Sequence, residues 1–187
     1  LIQLLPEKCI STTLIKDFKQ IQKHERYIEF GPGTSLSSIL ELGERNLPKL
    51  LPEAIESVAN PFVRNIATIA GNLLSQQKCT LFGPLLALDA YLELKSPNET
   101  KYTPLISFSE IPKGFVVTNI RIPMNDWDVS IFKRLGPEHK LSEDSATFSF
   151  LADSEKSVIT NLKIAFSGKI TFRCQELENK MLGARLP

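Results

Sequence analysis

The residues best suited to bind a ligand lie between Phe62 and Asn72, in the sequence F-V-R-N-I-A-T-I-A-G-N. Small side chains let a ligand approach the main chain, and Thr68 and Asn72 offer a hydroxyl and an amide for hydrogen bonds. Such a segment can hold a phosphate or a ribityl chain with exposed backbone amides rather than with formal charge. The alternative is a connecting loop whose Gly71 only forms a turn. The residues alone favour this alternative, because short glycine motifs often occur by chance.

The remaining reactive side chains predict no catalytic residue and no metal site. His24 and His139 are the only histidines, and neither stands in a metal-ligand or triad pattern. The cysteines, Cys9, Cys79 and Cys174, are far apart and odd in number, which indicates a reducing cytoplasm rather than a disulfide scaffold. Their spacing also argues against an iron–sulfur cluster within these residues, since a cluster needs four clustered ligands.

The composition narrows the class of protein further. The chain has 187 residues, is 42% hydrophobic and carries a net charge of +1, with basic and acidic residues well mixed. Without a basic stripe, nucleic acid is not expected as a partner. No apolar run approaches the roughly 20 residues that span a bilayer, and the first residues do not resemble a signal peptide. These features predict a cytoplasmic protein without a membrane partner.

Helices and strands must alternate around the ligand-binding segment. The Asn60-Pro61 pair ends a helix before the segment, because the residue before proline is disfavoured in the α region. The predicted elements up to residue 94 are a helical pattern within residues 1–23, a strand at Tyr27–Phe30, a turn at Gly31–Thr34, a helix from Thr34 or Ser35 to Leu42, a helix at Pro48–Ala59, a helix at 84–89 and a strand at Tyr91–Leu94.

The second part of the chain reads mainly as strand. Residues Phe115–Ile122 give the strongest strand pattern, which ends at Pro123. Before it, a strand from Lys101 is expected to turn Leu105, Ile106 and Phe108 inward. After it come strands at Trp127–Leu135, Ala146–Leu151 and Val158–Phe166, the last two joined as a hairpin by Asp153–Lys156, and a helix at Arg173–Leu182 that ends at Gly183. We therefore predict an α+β protein with two domains, residues 1–124 and 125–187. The second domain is predicted as a three-stranded antiparallel sheet with helices on one face, with Leu177, Met181 and Leu182 on one side of its last helix.

Two motifs resemble a known family. The stretch from Arg64 to Asn72, followed by G-P-L-L-A-L-D-A at Gly83–Ala90, is similar to the second flavin-binding motif of the FAD-binding (medium) subunits of molybdenum hydroxylases. These are the xanthine dehydrogenase and carbon monoxide dehydrogenase type enzymes. The sequence R-x-x-E-L-E-x-x-x-L-G, which begins at Arg173, resembles the C-terminal domain of the same flavoproteins. The resemblance implies a partial PCMH-type FAD-binding domain followed by a small antiparallel-sheet domain.

The resemblance also implies a function. In the family, electrons pass from a molybdopterin-binding large subunit through an iron–sulfur small subunit to FAD, and then to NAD⁺ or another acceptor. The flavin performs the redox chemistry, so no side chain need act as an acid, a base or a nucleophile. The alternative is a flavin-free structural subunit that keeps the fold and docks its partners.

The resemblance assigns the FAD site residue by residue. The implied cofactor-binding residues are Ala67, Thr68, Ile69, Ala70, Gly71, Asn72, Leu74, Val117 and Lys133. Lys133 corresponds to a lysine near the flavin ring, where a cation stabilises negative charge; an ordinary solvated strand lysine is an equal alternative.

Three departures bear on how tightly FAD is held. Ala70 stands where the family usually has a glycine, and Leu81 stands where it has an aspartate. In the family, a G-G-T loop in a preceding subdomain of roughly fifty residues wraps the pyrophosphate, and the sequence given lacks it. A lasting site needs donors on both sides of the pyrophosphate. We therefore expect these residues alone to hold FAD weakly or not at all.

Overall fold

The computed structural model describes residues 9–75, 80–136 and 145–185, and Cys79 and His139 lie outside these ranges. Its first part is built on a five-stranded antiparallel sheet. The strands are β1 (Ile21–Lys23), β2 (Tyr27–Phe30), β3 (Tyr91–Lys95), β4 (Thr100–Pro104) and β5 (Val116–Pro123), in the order β1-β2-β5-β3-β4. The strong strand pattern before Pro123 thus becomes the central strand, in register with both β2 and β3.

Five short helices connect β2 to β3, and all of them except α3 contribute buried residues to one core. They are α1 (Leu36–Leu40), α2 (Leu50–Glu56), α3 (Pro61–Ile66), α4 (Ile69–Leu73) and α5 (Phe82–Ala87). Single turns of 3₁₀ helix lie at Lys16–Lys19, Glu44–Asn46 and Leu105–Ser107. Helix α1 begins as the sequence predicts, since the Ser35 side chain accepts a hydrogen bond from the Ser38 amide. Among the three residues expected to turn inward after β4, Leu105 is buried, Phe108 is half-buried and Ile106 is exposed.

A second antiparallel sheet follows. Its strands are β6 (Val129–Leu135), β7 (Ala146–Glu155), β8 (Val158–Ser167) and β9 (Phe172–Arg173), in chain order, and helix α6 (Gln175–Met181) follows them. The predicted hairpin of β7 and β8 is confirmed. It turns at Lys156 and Ser157, which both have positive φ, as a two-residue hairpin turn requires. The sheet has four strands rather than three, because the short β9 pairs with β8.

The two sheets are joined by packing as well as by the chain. Helix α5 contacts β7 and β8. Gly83 of α5 comes so close to the second sheet that a Cβ there would lie 2.9 Å from the Thr147 hydroxyl oxygen. Phe132, Leu151 and Ala165 belong to the same buried core as the first sheet. The predicted α+β class with two sheets is confirmed, while the division into domains 1–124 and 125–187 stays a prediction.

Two predicted elements are corrected by the structure. The helical pattern before residue 23 is a 3₁₀ turn followed by β1, because this segment adds a strand to the edge of β2; Leu14 is fully exposed. In α6, Leu177, Met181 and Leu182 are exposed and Glu178 is the buried residue. This carboxylate is buried because the Arg173 guanidinium and the Ile164 amide both donate to it.

Candidate functional site

The segment expected to be a ligand-binding loop is two short helices with a break between them. Asn60 caps α3 by accepting a hydrogen bond from the Val63 amide at 3.1 Å. Thr68 caps α4 in the same way, since its hydroxyl oxygen accepts a hydrogen bond from the Gly71 amide at 3.0 Å. Gly71 therefore lies inside a helix and not in a turn. The side chains that end and restart the helices fix the direction of this segment.

The backbone amides of the segment are used inside the protein. The amides of Ile69 and Ala70 donate to the carbonyls of Thr34 and Pro32, in the turn after β2. The amides of Ala67 and Asn72 donate to the carbonyls of Val63 and Thr68, four residues earlier in each case. The Gly71 amide is taken by the Thr68 hydroxyl. The predicted cradle of exposed amides is thus corrected, because these donors stabilise α3 and α4 and attach them to the turn after β2.

The arginine of the motif, Arg64, has a structural role. One terminal nitrogen of its guanidinium donates to the carbonyl oxygens of Glu56, Val58 and Ala59, at 3.0, 3.0 and 3.3 Å. These carbonyls follow the end of α2, where a helix leaves acceptors without partners. Arg64 therefore fixes the corner between α2 and α3 and so positions the segment that follows.

Thr68 stands where two cavities meet. The first, of about 490 Å³, is bordered by hydroxyl groups from Thr12, Thr13, Ser35 and Ser38. The second, of about 340 Å³, is mainly apolar. Both are lined by Thr68 and by Thr12, Phe18 and Gly33. Together they form one surface groove, of mixed polar and apolar lining at one end and mainly apolar at the other, which we call the Thr68 groove.

Four of the predicted site residues come together in the apolar end of the Thr68 groove. These residues are Thr68, Ala70, Leu74 and Val117. Thr68 and Ala70 belong to the motif and Leu74 follows it closely, while Val117 comes from β5, more than forty residues later in the chain. The fold therefore brings together two distant sequence regions that the resemblance assigned to one site.

The other predicted site residues are placed differently. Ile69 is fully buried, Gly71 is exposed on α4 and Ala67 is half-buried beside the break. The Asn72 side-chain oxygen accepts a hydrogen bond from the Leu81 amide at 3.0 Å. Lys133 is exposed on β6 and, among the residues that the structure describes, does not line the groove.

Sequence reasoning missed the side of the groove that lies before the motif. Thr12, Phe18 and Gly33 line it, and no local pattern marks Thr12 or Phe18 as residues of a binding site. The glycines of Gly31-Pro32-Gly33 were a signal of close approach. A Cβ at Gly31 would collide with the carbonyl of Phe18, so this glycine lets the Phe18 segment lie against the turn.

A third cavity, of about 490 Å³, adjoins the apolar end of the Thr68 groove, since Leu74 and Ile111 line both. Hydroxyl side chains of Ser75, Ser109 and Thr171 border it. It extends the concave surface from the helices of the first sheet to the second sheet.

Over the described residues, no cluster of three or more metal-ligating side chains occurs, and no helix has the length and apolarity to cross a membrane.

Comparison with known proteins gives a family match. The model of the FAD binding domain in molybdopterin dehydrogenase matches residues 2–125. A putative xanthine dehydrogenase FAD-binding subunit of Escherichia coli is 24% identical over 179 residues, covering 85% of this chain and 59% of the relative. Subunit alpha of the 6-hydroxypseudooxynicotine dehydrogenase complex of Paenarthrobacter nicotinovorans is 25% identical over 194 residues, covering 97% and 65%.

The fold is similar to that of chains in two solved enzyme structures. A chain of the carbon monoxide dehydrogenase of Hydrogenophaga pseudoflava superposes with a TM-score of 0.80 at 18% identity, over 91% of this chain and 63% of that one. A chain of quinoline 2-oxidoreductase of Pseudomonas putida gives a TM-score of 0.74 at 13% identity, over 91% and 63%. The sequence given thus spans less than two thirds of these relatives and structures.

Proposed function

Because the chain belongs to the family of FAD-binding domains of molybdopterin dehydrogenases, we propose that it is the flavoprotein subunit of a molybdenum hydroxylase complex. FAD is the cofactor of this family. When bound, it supplies the redox chemistry, receiving electrons from iron–sulfur clusters of a small subunit and passing them to NAD⁺ or another acceptor. The molybdenum centre belongs to a large partner subunit. The names of two relatives, a FAD-binding subunit and a complex subunit alpha, support the assembly.

The observation that carries the proposal is the meeting of Thr68, Ala70, Leu74 and Val117 in one cavity. The apolar end of the Thr68 groove suits a flat ring of the cofactor, while its hydroxyl-bordered end suits the ribityl chain and the phosphates. These features, together with Lys19 at the hydroxyl-bordered end, fit FAD. Ile69 is too deeply buried for its side chain to take part, and we assign it to the core.

Thr68 would bind the cofactor with its hydroxyl proton. Its oxygen already accepts a hydrogen bond from the Gly71 amide. A hydroxyl can also donate one hydrogen bond, and this donor is available to a ligand oxygen in the groove. Ala67, Gly71 and Asn72 would act indirectly, by holding α4 in place, since their backbone amides and the Asn72 side chain form hydrogen bonds within the protein.

Two predictions about FAD binding remain, the role of Lys133 and the weak affinity of these 187 residues. Lys133 is exposed on the second sheet. We assign it to the flavin only if the cofactor follows the extension of the groove toward that sheet. Weak FAD binding by these 187 residues stays a prediction. Its physical basis is that the amides of residues 69–72 donate internally and leave few main-chain donors for a pyrophosphate.

The internal hydrogen bonding of these amides also supports the alternative, a flavin-free subunit that docks its partners. The amides that would bind a phosphate are used to hold α3 and α4, and Leu81, which replaces an aspartate of the family pattern, is fully buried. The purified full-length protein distinguishes the two functions by its visible absorbance. Flavin bands support the electron-transfer subunit, and their absence after FAD is supplied supports the docking subunit.

A matched pair of variants tests the role of Thr68. Thr68→Ala and Asn60→Ala each remove the N-cap of one short helix, at a cost of roughly 1 kcal/mol of stability. Thr68 lines the groove, whereas Asn60 does not among the described residues. FAD titration should therefore give a weakened affinity for Thr68→Ala and an unchanged affinity for Asn60→Ala. Equal affinities for the two variants would contradict the assignment of Thr68.

A further inference from the structure

A fourth, smaller cavity lies away from the Thr68 groove, at the seam between the two sheets. Its volume is about 60 Å³. It is bordered by the residues before and within α2, by the connection at residues 124–127, and by Ser130 of β6 and Leu151 of β7. A cavity needs roughly 10–15 Å³ to hold one water molecule. This one therefore has room for several water molecules or for one ion of four or five non-hydrogen atoms.

Two of the residues that line this cavity carry a buried polar atom that has no hydrogen-bond partner within the described part of the chain. The two atoms are Nε1 of Trp127 and Oγ of Ser130. Trp127 is only 7% exposed. A buried donor without a partner costs about 1–3 kcal/mol. The indole N–H can only donate, so its missing partner must be an acceptor.

The charged residues that line the cavity favour a negative acceptor. Arg45 and Lys49 line it and are exposed at the surface. Among the described residues, neither forms an ion pair. Asp126 is the one carboxylate that lines the cavity, and it leaves the cations in excess. Arginine and lysine both bind oxyanions by charge-assisted hydrogen bonds.

We propose that this cavity binds a small oxyanion, of the size of acetate or phosphate, between Trp127, Ser130, Arg45 and Lys49. The anion accepts the indole N–H and the serine hydroxyl, and the two cations offset its charge. Because the cavity is lined by α2 of the first part and by β6 and β7 of the second, a bound anion joins the two sheets. Binding to the folded protein alone raises its stability by linkage.

The chain contains a single tryptophan, so its indole N–H gives one identifiable resonance in a ¹H–¹⁵N spectrum. The protein is titrated with sodium phosphate and, separately, with sodium acetate, at ionic strength held constant with sodium chloride. We expect a saturable shift of the indole resonance in at least one titration, and a melting temperature that rises over the same concentration range. The two anions show whether a tetrahedral or a planar oxyanion fits better.

Variants separate binding in the cavity from general salt effects. Arg45→Gln and Lys49→Gln should each weaken the binding by roughly five- to tenfold, as expected for one lost charge-assisted contact. Lys113→Gln removes one charge from an exposed lysine elsewhere and should leave the affinity unchanged. Ser130→Ala should also weaken it. An indole resonance that does not move, or that moves equally in Arg45→Gln and Lys113→Gln, would show that the cavity holds water only and would overturn the proposal.

Discussion

The side-chain oxygen of Asn72 lies 3.0 Å from the backbone nitrogen of Leu81 and accepts its hydrogen bond. This contact connects the end of α4 to the start of α5 across nine residues. Leu81 is fully buried, so its amide would otherwise lack a partner away from water. Asn72 thereby holds together the two halves of the motif that the sequence suggested as a cofactor site.

Replacing Asn72 by alanine should destabilise the protein. The Leu81 amide would remain buried and unpaired, which costs about 1–3 kcal/mol. Asn72→Asp keeps an acceptor at the same place and should retain most of the stability. Urea unfolding of the three proteins measures the difference. Equal midpoints for Asn72→Ala and the wild type would show that this hydrogen bond does not contribute.

Replacing Arg173 by methionine should also destabilise the protein, and more strongly. Its side chain is 1% exposed and donates to both carboxylate oxygens of Glu178, at 2.8 and 3.0 Å. It also donates to the Leu86 carbonyl, within α5, and to Asp89, just after α5. Removing one partner of a buried ion pair costs about 3–5 kcal/mol, because the other charge stays buried.

A double variant provides the control for Arg173. Arg173→Met with Glu178→Leu removes both charges, and it should recover much of the stability lost in Arg173→Met alone. Arg173→Lys should not restore the wild type, because an ammonium group cannot make the bidentate contact. Chemical unfolding compares all four proteins. A loss below about 0.5 kcal/mol for Arg173→Met, the size of an ordinary surface change, would contradict this account.

The stability contributed by Glu93 should depend on pH. Burial raises the pKa of this carboxyl, but hydrogen bonds from Lys95, Asn119 and Thr118 outweigh burial and hold the pKa below its usual value of 4.5. The folded pKa is thus below the unfolded one, so the contribution is present above pH 4.5 and is lost as the pH falls through the folded pKa. The stability difference between the wild type and Glu93→Gln should shrink below pH 4.5. A difference that stays constant down to acid unfolding would contradict this.

Gly71→Val should affect both stability and flavin binding. A Cβ at this position would lie 2.9 Å from the Thr68 hydroxyl oxygen, so the larger side chain displaces the cap of α4. We expect the folded protein to lose roughly 1 kcal/mol of stability and to bind FAD more weakly. The control is Gly43→Val, at a positive-φ glycine with open space around it, which should lower the stability and leave the FAD affinity unchanged. Thermal melting and FAD titration of both variants test this. An unchanged FAD affinity in Gly71→Val would contradict the role of the Thr68 cap.

The sequence predicted the elements whose pattern is local. Strand β5 and the β7–β8 hairpin were found from their branched and alternating residues, and the Ser35 cap from its position after a turn. Helices α3 and α4 were missed because proline and glycine in a short segment indicate a turn. Their caps and their contacts with the turn after β2 make them helical.

The parts of the site that could not be predicted depend on contacts between distant residues. Thr12 and Phe18 reach the groove only because β1 extends the first sheet and carries the preceding segment past Gly31 and Gly33. The buried face of α6 was assigned to leucines, since periodicity identifies apolar residues. Its true buried residue is Glu178, whose burial depends on a guanidinium from Arg173.

The central claim is that the Thr68 groove binds FAD, and an FAD titration of two valine variants tests it most directly. Val116 lines the apolar end of the groove and is 54% exposed, whereas Val129 is a strand valine of similar exposure on the second sheet. A carboxylate at residue 116 would repel the phosphates and remove apolar contact. We predict that Val116→Glu raises the dissociation constant about tenfold or more, the equivalent of roughly 1.4 kcal/mol, and that Val129→Glu leaves it unchanged. Both variants are made in the full-length protein. Equal constants for the two variants, or no FAD binding by the full-length wild type, would contradict the claim.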